Sequence, residues 1–167
     1  SMKLFKRAIL AASSALLASC ASIAPQTVSI DPPAGSQEVL RLDASGEQIF
    51  RCARDTQGWF WHFEAPNAYL FDPIKNQAVA KHGYHFSFVH NDGSKLVTRI
   101  IRYRPQTENL TEALFAVTES TSGGVFSGVK YIQRLNTRGG LPTQKCSEAK
   151  KGHVLRVPFE AQFVFYK

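Results

Sequence analysis

The chain has 167 residues with 20 basic and 13 acidic side chains, which gives a formal net charge of +7. Three basic residues, Lys3, Lys6 and Arg7, would leave with an export signal, so 17 would remain against 13 acids and the charge would fall to +4. This small charge, without a basic stripe that carries interleaved aromatic residues, argues against nucleic acid as a partner. The nearest basic run, residues 99–104, is more typical of the solvent face of a strand.

The first 19 residues have the layout of a bacterial export signal. Ser1 precedes Met2 and indicates a tag remnant, and the charged start is followed by an apolar stretch from Ala8 to Leu17. The uncharged stretch is shorter than the roughly 20 residues that cross a bilayer. An ordinary secretory signal followed by an incidental cysteine is the alternative interpretation.

Leu17-Ala18-Ser19-Cys20 is similar to the lipobox of bacterial lipoproteins. The resemblance implies that acyl chains on Cys20 attach the protein to a membrane, and several chains anchor a protein stably where one does not. Ala21 stands where aspartate would mark inner-membrane retention. We therefore expect an outer-membrane lipoprotein facing the periplasm or the cell surface. Residues 20–36 contain three prolines and few charges, which predicts a flexible tether.

Two further cysteines, Cys52 and Cys146, remain in the exported chain. In an oxidising compartment an even pair is most simply a disulfide. We predict this bond, which would close a loop of about 95 residues and stabilise the fold by roughly 4 to 5 kcal/mol in the chain-entropy description.

Residues 37–167 read as a single all-β domain. Apolar residues alternate with polar ones in GWFWHFE, YHFSFVH and FEAQFVFYK, and turn signals such as Asn91-Asp92-Gly93 separate the runs. In YHFSFVH the alternation places Tyr84, Phe86 and Phe88 on one face of a strand. The pattern predicts an antiparallel β-sandwich or barrel with one disulfide.

No catalytic or metal-binding pattern is evident in the sequence. His82 and His85 are an odd number of residues apart and would point to opposite faces of a strand, so no metal site is expected. A triad of Ser94, His82 and Asp92 can be composed, but it has no nucleophile elbow around the serine. Gly-rich cofactor motifs are also missing, so we expect no cofactor and no catalytic residues.

Five residues are candidates for ligand binding: His82, Gln133, Arg134, Trp59 and Trp61. The two tryptophans share a strand face and could stack on a sugar, although paired tryptophans on an inner face are more often core. One of Gln133 and Arg134 should point inward, and an inward arginine needs a partner, for which Glu64 is the candidate. A ligand cleft around Arg134 and His82 is the alternative to a structural ion pair.

Four segments together resemble a known family. They are VSIDPPAGSQEVLRLDASGEQIFRC, HGYHFSFVHNDGS, GGVFSGVKYIQRLNTRGG and VPFEAQFVFYK, and they extend over about residues 28–167. The family is domain of unknown function 3455. The resemblance implies no particular activity, substrate or catalytic residue, because none is established for the family.

The sequence therefore favours a lipid-anchored, non-catalytic envelope domain that binds a protein, a cell-wall glycan or a small ligand. An inhibitor or immunity-type partner of a periplasmic enzyme is the first alternative. The second alternative is a hydrolase with its site around His82.

Overall fold

The computed structural model describes residues 28–167, which form eight strands and two short 3-10 helices. The strands are β1 (Glu38–Asp55), β2 (Gly58–Phe71), β3 (Ala78–Gly83), β4 (Ser87–His90), β5 (Lys95–Gln106), β6 (Asn109–Ser120), β7 (Tyr131–Gly139) and β8 (Val154–Tyr166). The 3-10 helices are Tyr84–Phe86 and Glu148–Lys150. The expected export signal and Cys20 lie outside the described residues.

The eight strands form a closed antiparallel barrel. Each strand pairs with its neighbours in sequence, and β8 pairs with β1 along a register that runs from Glu38 and Tyr166 to Arg51 and Val154. The all-β prediction is confirmed. Of the two expected architectures, a sandwich and a barrel, the protein forms the barrel. Strand alternation could not distinguish them, because both bury one face of every strand.

Aromatic and aliphatic side chains fill the interior of the barrel. On β8 the predicted inward face, Phe159, Ala161, Phe163 and Phe165, is buried throughout. Phe163 and Phe165 pack in one cluster with buried residues of other strands, including Leu42, Leu70, Phe88 and Phe115, whereas Phe159 and Ala161 pack with Ala68 in a second cluster. An eight-stranded barrel is just wide enough for its own side chains or for one small ligand, and here side chains fill the interior as a packed core.

Gly46 allows β1 and β2 to approach each other closely. A Cβ atom at this position would overlap the backbone carbonyl of Asn67 and the Cα atom of Ala68 on β2. A residue with a side chain would therefore push the two strands apart. Glycine in a strand commonly marks such a site of close backbone approach.

The chain before β1 packs against the outside of the barrel. Ile30 is buried, and its carbonyl oxygen accepts a hydrogen bond from Nε2 of Gln133 at 2.9 Å. The chain then meets the carboxyl end of β8, because Gln37 and Lys167 exchange two backbone hydrogen bonds. Residues entering from the N-terminus therefore reach the barrel at the end where β1 begins.

The predicted disulfide between Cys52 and Cys146 is confirmed. It attaches the loop between β7 and β8 to β1, and it joins residues that are 94 apart in sequence. The indole Nε1 of Trp61 donates a hydrogen bond to the carbonyl of Gln144 at 2.7 Å in the same loop. Both contacts hold the long connection between β7 and β8 against the wall of the barrel.

The predicted strand alternation through Tyr84, Phe86 and Phe88 is wrong at its first two positions. His82 pairs with Phe88 and Gly83 with Ser87, so the three residues between them must turn. His85 and Phe86 adopt φ angles of 60° and 47° in this turn, and Tyr84 is 68% exposed. Of the three residues only Phe88 lies in a strand on the inward face, although the ring of Phe86 also packs against the core from the turn. Neither 3-10 helix in the described part of the chain qualifies as a membrane-spanning segment.

Candidate functional site

His82 lies inside the barrel on β3. Its ring stacks on Phe88 with a centroid distance of 4.1 Å and contacts Phe163 at 5.0 Å. Nδ1 lies 3.0 Å from the carbonyl oxygen of Ser87. A carbonyl can only accept, so Nδ1 carries the proton and Nε2 is a bare acceptor. Within residues 28–167, this buried Nε2 has no hydrogen-bond partner.

The surroundings of His82 keep the imidazole neutral. The pKa of His82 is lowered from 6.5 to about 3, mainly by burial; the hydrogen bond to the Ser87 carbonyl opposes this effect in part, and the charge of Arg134 adds a smaller lowering. Removing a cation from water is unfavourable, so the uncharged form is favoured at every physiological pH. In this state His82 can accept a hydrogen bond but cannot neutralise an anion.

Arg134 also points into the barrel, from β7. Its Nε donates to the carbonyl oxygen of Thr111 at 2.9 Å, and a terminal nitrogen donates to Thr111 Oγ1 at 3.0 Å. The guanidinium lies 5.4 Å from the ring centroid of Phe115, which His82 contacts edge-on. Burial lowers the pKa of Arg134 to about 10, so the side chain remains charged at neutral pH.

The predicted ion pair between Arg134 and Glu64 is wrong. Glu64 lies on β2 and pairs with Arg51, whose side chain is also outside the barrel. No carboxylate lies within 4.0 Å of Arg134 in the part of the chain that the structure describes. The expectation that one of Gln133 and Arg134 points inward is confirmed, and it is Arg134, whose charge has no counter-ion among residues 28–167.

Gln133 does not join His82 and Arg134. It faces the outside of the barrel, where the N-terminal segment covers it through the hydrogen bond to Ile30. Its Oε1 accepts a bond from the hydroxyl of Tyr166 at 2.6 Å. Gln133 therefore attaches the chain that precedes β1 to the barrel wall.

Trp59 and Trp61 have the inward register but lie near the end of the barrel. Trp59 pairs with Arg54, whose guanidinium lies 5.7 Å from the ring centroid, and Trp61 pairs with the disulfide residue Cys52. Both rings are half-buried. They support the disulfide-bonded end of the barrel and lie apart from the interior pair of His82 and Arg134.

Ser94, His82 and Asp92 do not form a catalytic triad in the structure. Ser94 Oγ donates to Asp92 Oδ1 at 2.6 Å, whereas His82 is bonded to Ser87. The hydroxyl of Ser94 and the backbone N–H of Val125 hold the pKa of Asp92 well below its usual range. This carboxylate therefore connects two loops. Among residues 28–167 no cluster of three His, Cys, Asp or Glu side chains is suited to a metal ion.

An open groove of about 660 Å³ crosses the outer face of β7, β8 and β1. Hydrogen bonds connect its floor: Asn136 Nδ2 donates to Gln162 Oε1 at 2.8 Å, and Gln162 Nε2 donates to Asp43 Oδ1 at 3.3 Å. Ser45, Arg138 and Glu160 add further polar groups, and Phe71 lines the groove as well. Amide and carboxylate groups in such a row can bind the hydroxyl groups of a ligand.

A bulge in β7 turns Asn136 toward this groove. The pairing of β7 with β8 shifts register between Leu135 and Arg138, and Asn136 adopts a φ angle of 52°. Its backbone N–H donates to Oε2 of the buried Glu112 at 2.7 Å. Sequence reasoning missed the groove. Its only local signal is an asparagine inside a strand, a residue type that tolerates the left-handed region.

The family model for DUF3455, described as a protein of unknown function, matches residues 33–167. The chain belongs to the DUF3455 family. That match covers the whole barrel, from the residues before β1 to the end of β8. No curated protein and no solved structure was found to match the chain.

The buried His82 makes the stability of this DUF3455 protein depend on pH. The folded pKa lies below the unfolded value, so the unfolded chain takes up a proton between pH 6.5 and pH 3 that the folded chain does not. The stability that the fold gains by keeping His82 neutral is fully present above pH 6.5 and is lost progressively as the pH falls toward 3. We expect His82 to reduce the free energy of unfolding by about 2 kcal/mol between pH 7 and pH 5.

Urea unfolding of the wild type and of His82→Asn at several pH values measures this effect. Asparagine keeps a donor for the Ser87 carbonyl and does not titrate, so the free-energy gap between the two proteins should narrow as the pH falls. His153→Asn, which removes an exposed imidazole, is the matched control. A constant gap from pH 7 to pH 5 would show that His82 is accessible to protons in the folded barrel.

Proposed function

We propose that this protein is a non-catalytic binding domain of the bacterial envelope, anchored to the outer membrane through Cys20. The single observation that carries the binding role is the hydrogen-bonded row of Asn136, Gln162 and Asp43 on the floor of an open groove. Three strands position the row, so its groups are fixed before a ligand arrives. Such preorganisation lowers the entropic cost of binding.

The chemistry of the groove favours a neutral ligand that is rich in hydroxyl groups. Asp43 and Glu160 outnumber the single cation Arg138 among the lining side chains, and Arg138 is already paired with Glu160. A polyanion would therefore meet net repulsion. Sugar hydroxyl groups can both donate to carboxylates and accept from amides. We propose a glycan strand of the cell wall as the ligand.

The position of the chain ends agrees with a tethered domain. Residues before β1 enter at the end of the barrel where Gln37 and Lys167 pair, and Asn76 of the β2–β3 turn lines the groove. The groove thus begins close to the end that a tether from Cys20 would reach. A domain held in this way would present the groove toward material near the membrane surface.

Gln162→Leu tests the groove, because Gln162 donates one hydrogen bond of the row and accepts the other. The variant loses both hydrogen bonds that hold the row in place, and a loss of about 1 kcal/mol for each should weaken binding roughly 10- to 30-fold. The measurement is co-sedimentation of the detergent-solubilised protein with purified peptidoglycan sacculi. Thr118→Val, on the outer face of β6 and outside the groove, is the control and should sediment like the wild type.

Failure of the wild type to sediment would reject the glycan. Equal sedimentation of wild type and Gln162→Leu would reject the groove as its site. Capture of an envelope enzyme by the wild type, together with loss of that enzyme's activity, would instead favour the inhibitor interpretation.

The anchor is tested by Cys20→Ala. Without the thiol no acyl chain can be attached, so the variant should move from the membrane fraction to the soluble fraction and incorporate no labelled palmitate. Ser19→Ala keeps a small residue before the cysteine and should remain in the membrane fraction. Palmitate on the Cys20→Ala variant would contradict the lipobox interpretation.

A further inference from the structure

The interior of the barrel contains a cation, Arg134, that has no counter-ion in the described part of the chain. Arg134 is 2% exposed, and its side-chain hydrogen bonds go only to the carbonyl oxygen and hydroxyl of Thr111. A guanidinium has five N–H donors in a planar fork, so donors remain unused. Burying a charge without its partner is costly. A purely structural core would be more stable with an apolar side chain here.

Two acceptors in the same interior also lack partners. Nε2 of His82 and Oε1 of Gln48 are buried, and neither is hydrogen-bonded by any of the described residues. Both side chains have inward positions, His82 on β3 and Gln48 on β1. Unpaired buried acceptors are rare in folded proteins. The interior thus offers one unpaired cation and two acceptors that require a donor.

The turn Tyr84–Phe86 closes the wall beside these groups. β3 and β4 are short, and the turn contacts both β2 and β5 across the gap above them. The ring of Phe86 stacks between Phe63, at 5.8 Å, and His82, at 6.2 Å. From the side chains that the structure describes, the turn accepts one hydrogen bond, from Thr98 Oγ1 to the Phe86 carbonyl at 2.8 Å.

The turn is strained and adjoins open space. His85 and Phe86 both have positive φ, a conformation that bulky residues rarely adopt and that recurs at binding sites and gates. A crevice of about 380 Å³ lies against the turn and is lined mainly by apolar groups, among them Pro66 and Val97. Outward movement of Phe86 into this crevice would leave a ring-sized space between Phe63 and His82.

We propose that Phe86 is a displaceable plug and that the position vacated by its ring binds a small hydroxyaryl-alkanoic acid. The aromatic ring replaces that of Phe86 between Phe63 and His82, and the carboxylate pairs with Arg134. Phe86 and Arg134 both pack against Phe115, at 5.6 Å and 5.4 Å from its ring centroid. A linker of two or three carbons would join the ring and the carboxylate of the ligand between these two positions. The phenolic hydroxyl donates to one of the two unpaired acceptors.

The probe is 3-(4-hydroxyphenyl)propionate, and its uncharged amide is the matched control ligand. Titration calorimetry of the full exported chain should show the acid binding at least 10-fold more tightly than the amide. Phe86→Ala removes the competing ring and should tighten binding of the acid at least 10-fold. Equal affinity for acid and amide, or no binding of the acid to either protein, would overturn the proposal.

Arg134→Met separates recognition from folding. The variant should melt no lower than the wild type, because it loses an unpaired buried charge, and its acid-to-amide preference should fall to about one. Should Arg134→Met fail to fold, Arg134→Lys keeps the charge without the planar fork and should show a reduced preference. A full preference in a folded Arg134→Met protein would contradict the assignment.

The interior site and the outer groove can fail separately. Gln162→Leu should leave binding of the acid unchanged, and Phe86→Ala should leave sedimentation with sacculi unchanged. If Gln162→Leu abolished binding of the acid, the acid would occupy the groove and the interior proposal would be wrong.

Discussion

Pairing between β1 and β8 is the constraint on which the rest of the structure depends. This pairing turns a meandering sheet into a closed barrel, and closure makes every inward position part of one enclosed core. An interior formed by eight strands is filled by side chains and excludes water. Exclusion of water keeps His82 neutral and makes burial of the charge on Arg134 energetically unfavourable. The chemistry of the interior therefore follows from closure.

One strand carries both candidate sites. On β7 the regular alternation directs Arg134 into the barrel, and the bulge that follows directs Asn136 outward into the groove. Without the bulge the two side chains would share a face. Glu112 stabilises the bulge by accepting a hydrogen bond from the backbone of Asn136 and is itself held by Arg104. Bulges commonly redirect a side chain at functional positions.

Local periodicity predicted the features that depend on one strand at a time. The inward face of β8 and the inward position of one of Gln133 and Arg134 are confirmed, because alternation is a rule within a single strand. The disulfide is confirmed as well, because two cysteines in an oxidising compartment allow only one pairing. The choice between sandwich and barrel depends on which distant strands pair, and alternation carries no information about it. The turn at Tyr84–Phe86 escaped prediction because its aromatic spacing is the same as that of a strand. The groove was not predicted because the hydrogen-bonded row on its floor joins residues up to 119 positions apart in sequence.

The account rests on a sealed interior in which Arg134 is charged and dehydrated. Hydrogen exchange of its Nε–H group, followed by nitrogen-15 NMR at neutral pH, tests this most directly. The Nε–H donates to Thr111 inside the barrel, so its signal should persist for far longer than those of surface arginines such as Arg138. Exchange of the Arg134 signal as fast as that of the exposed arginines would contradict the sealed interior.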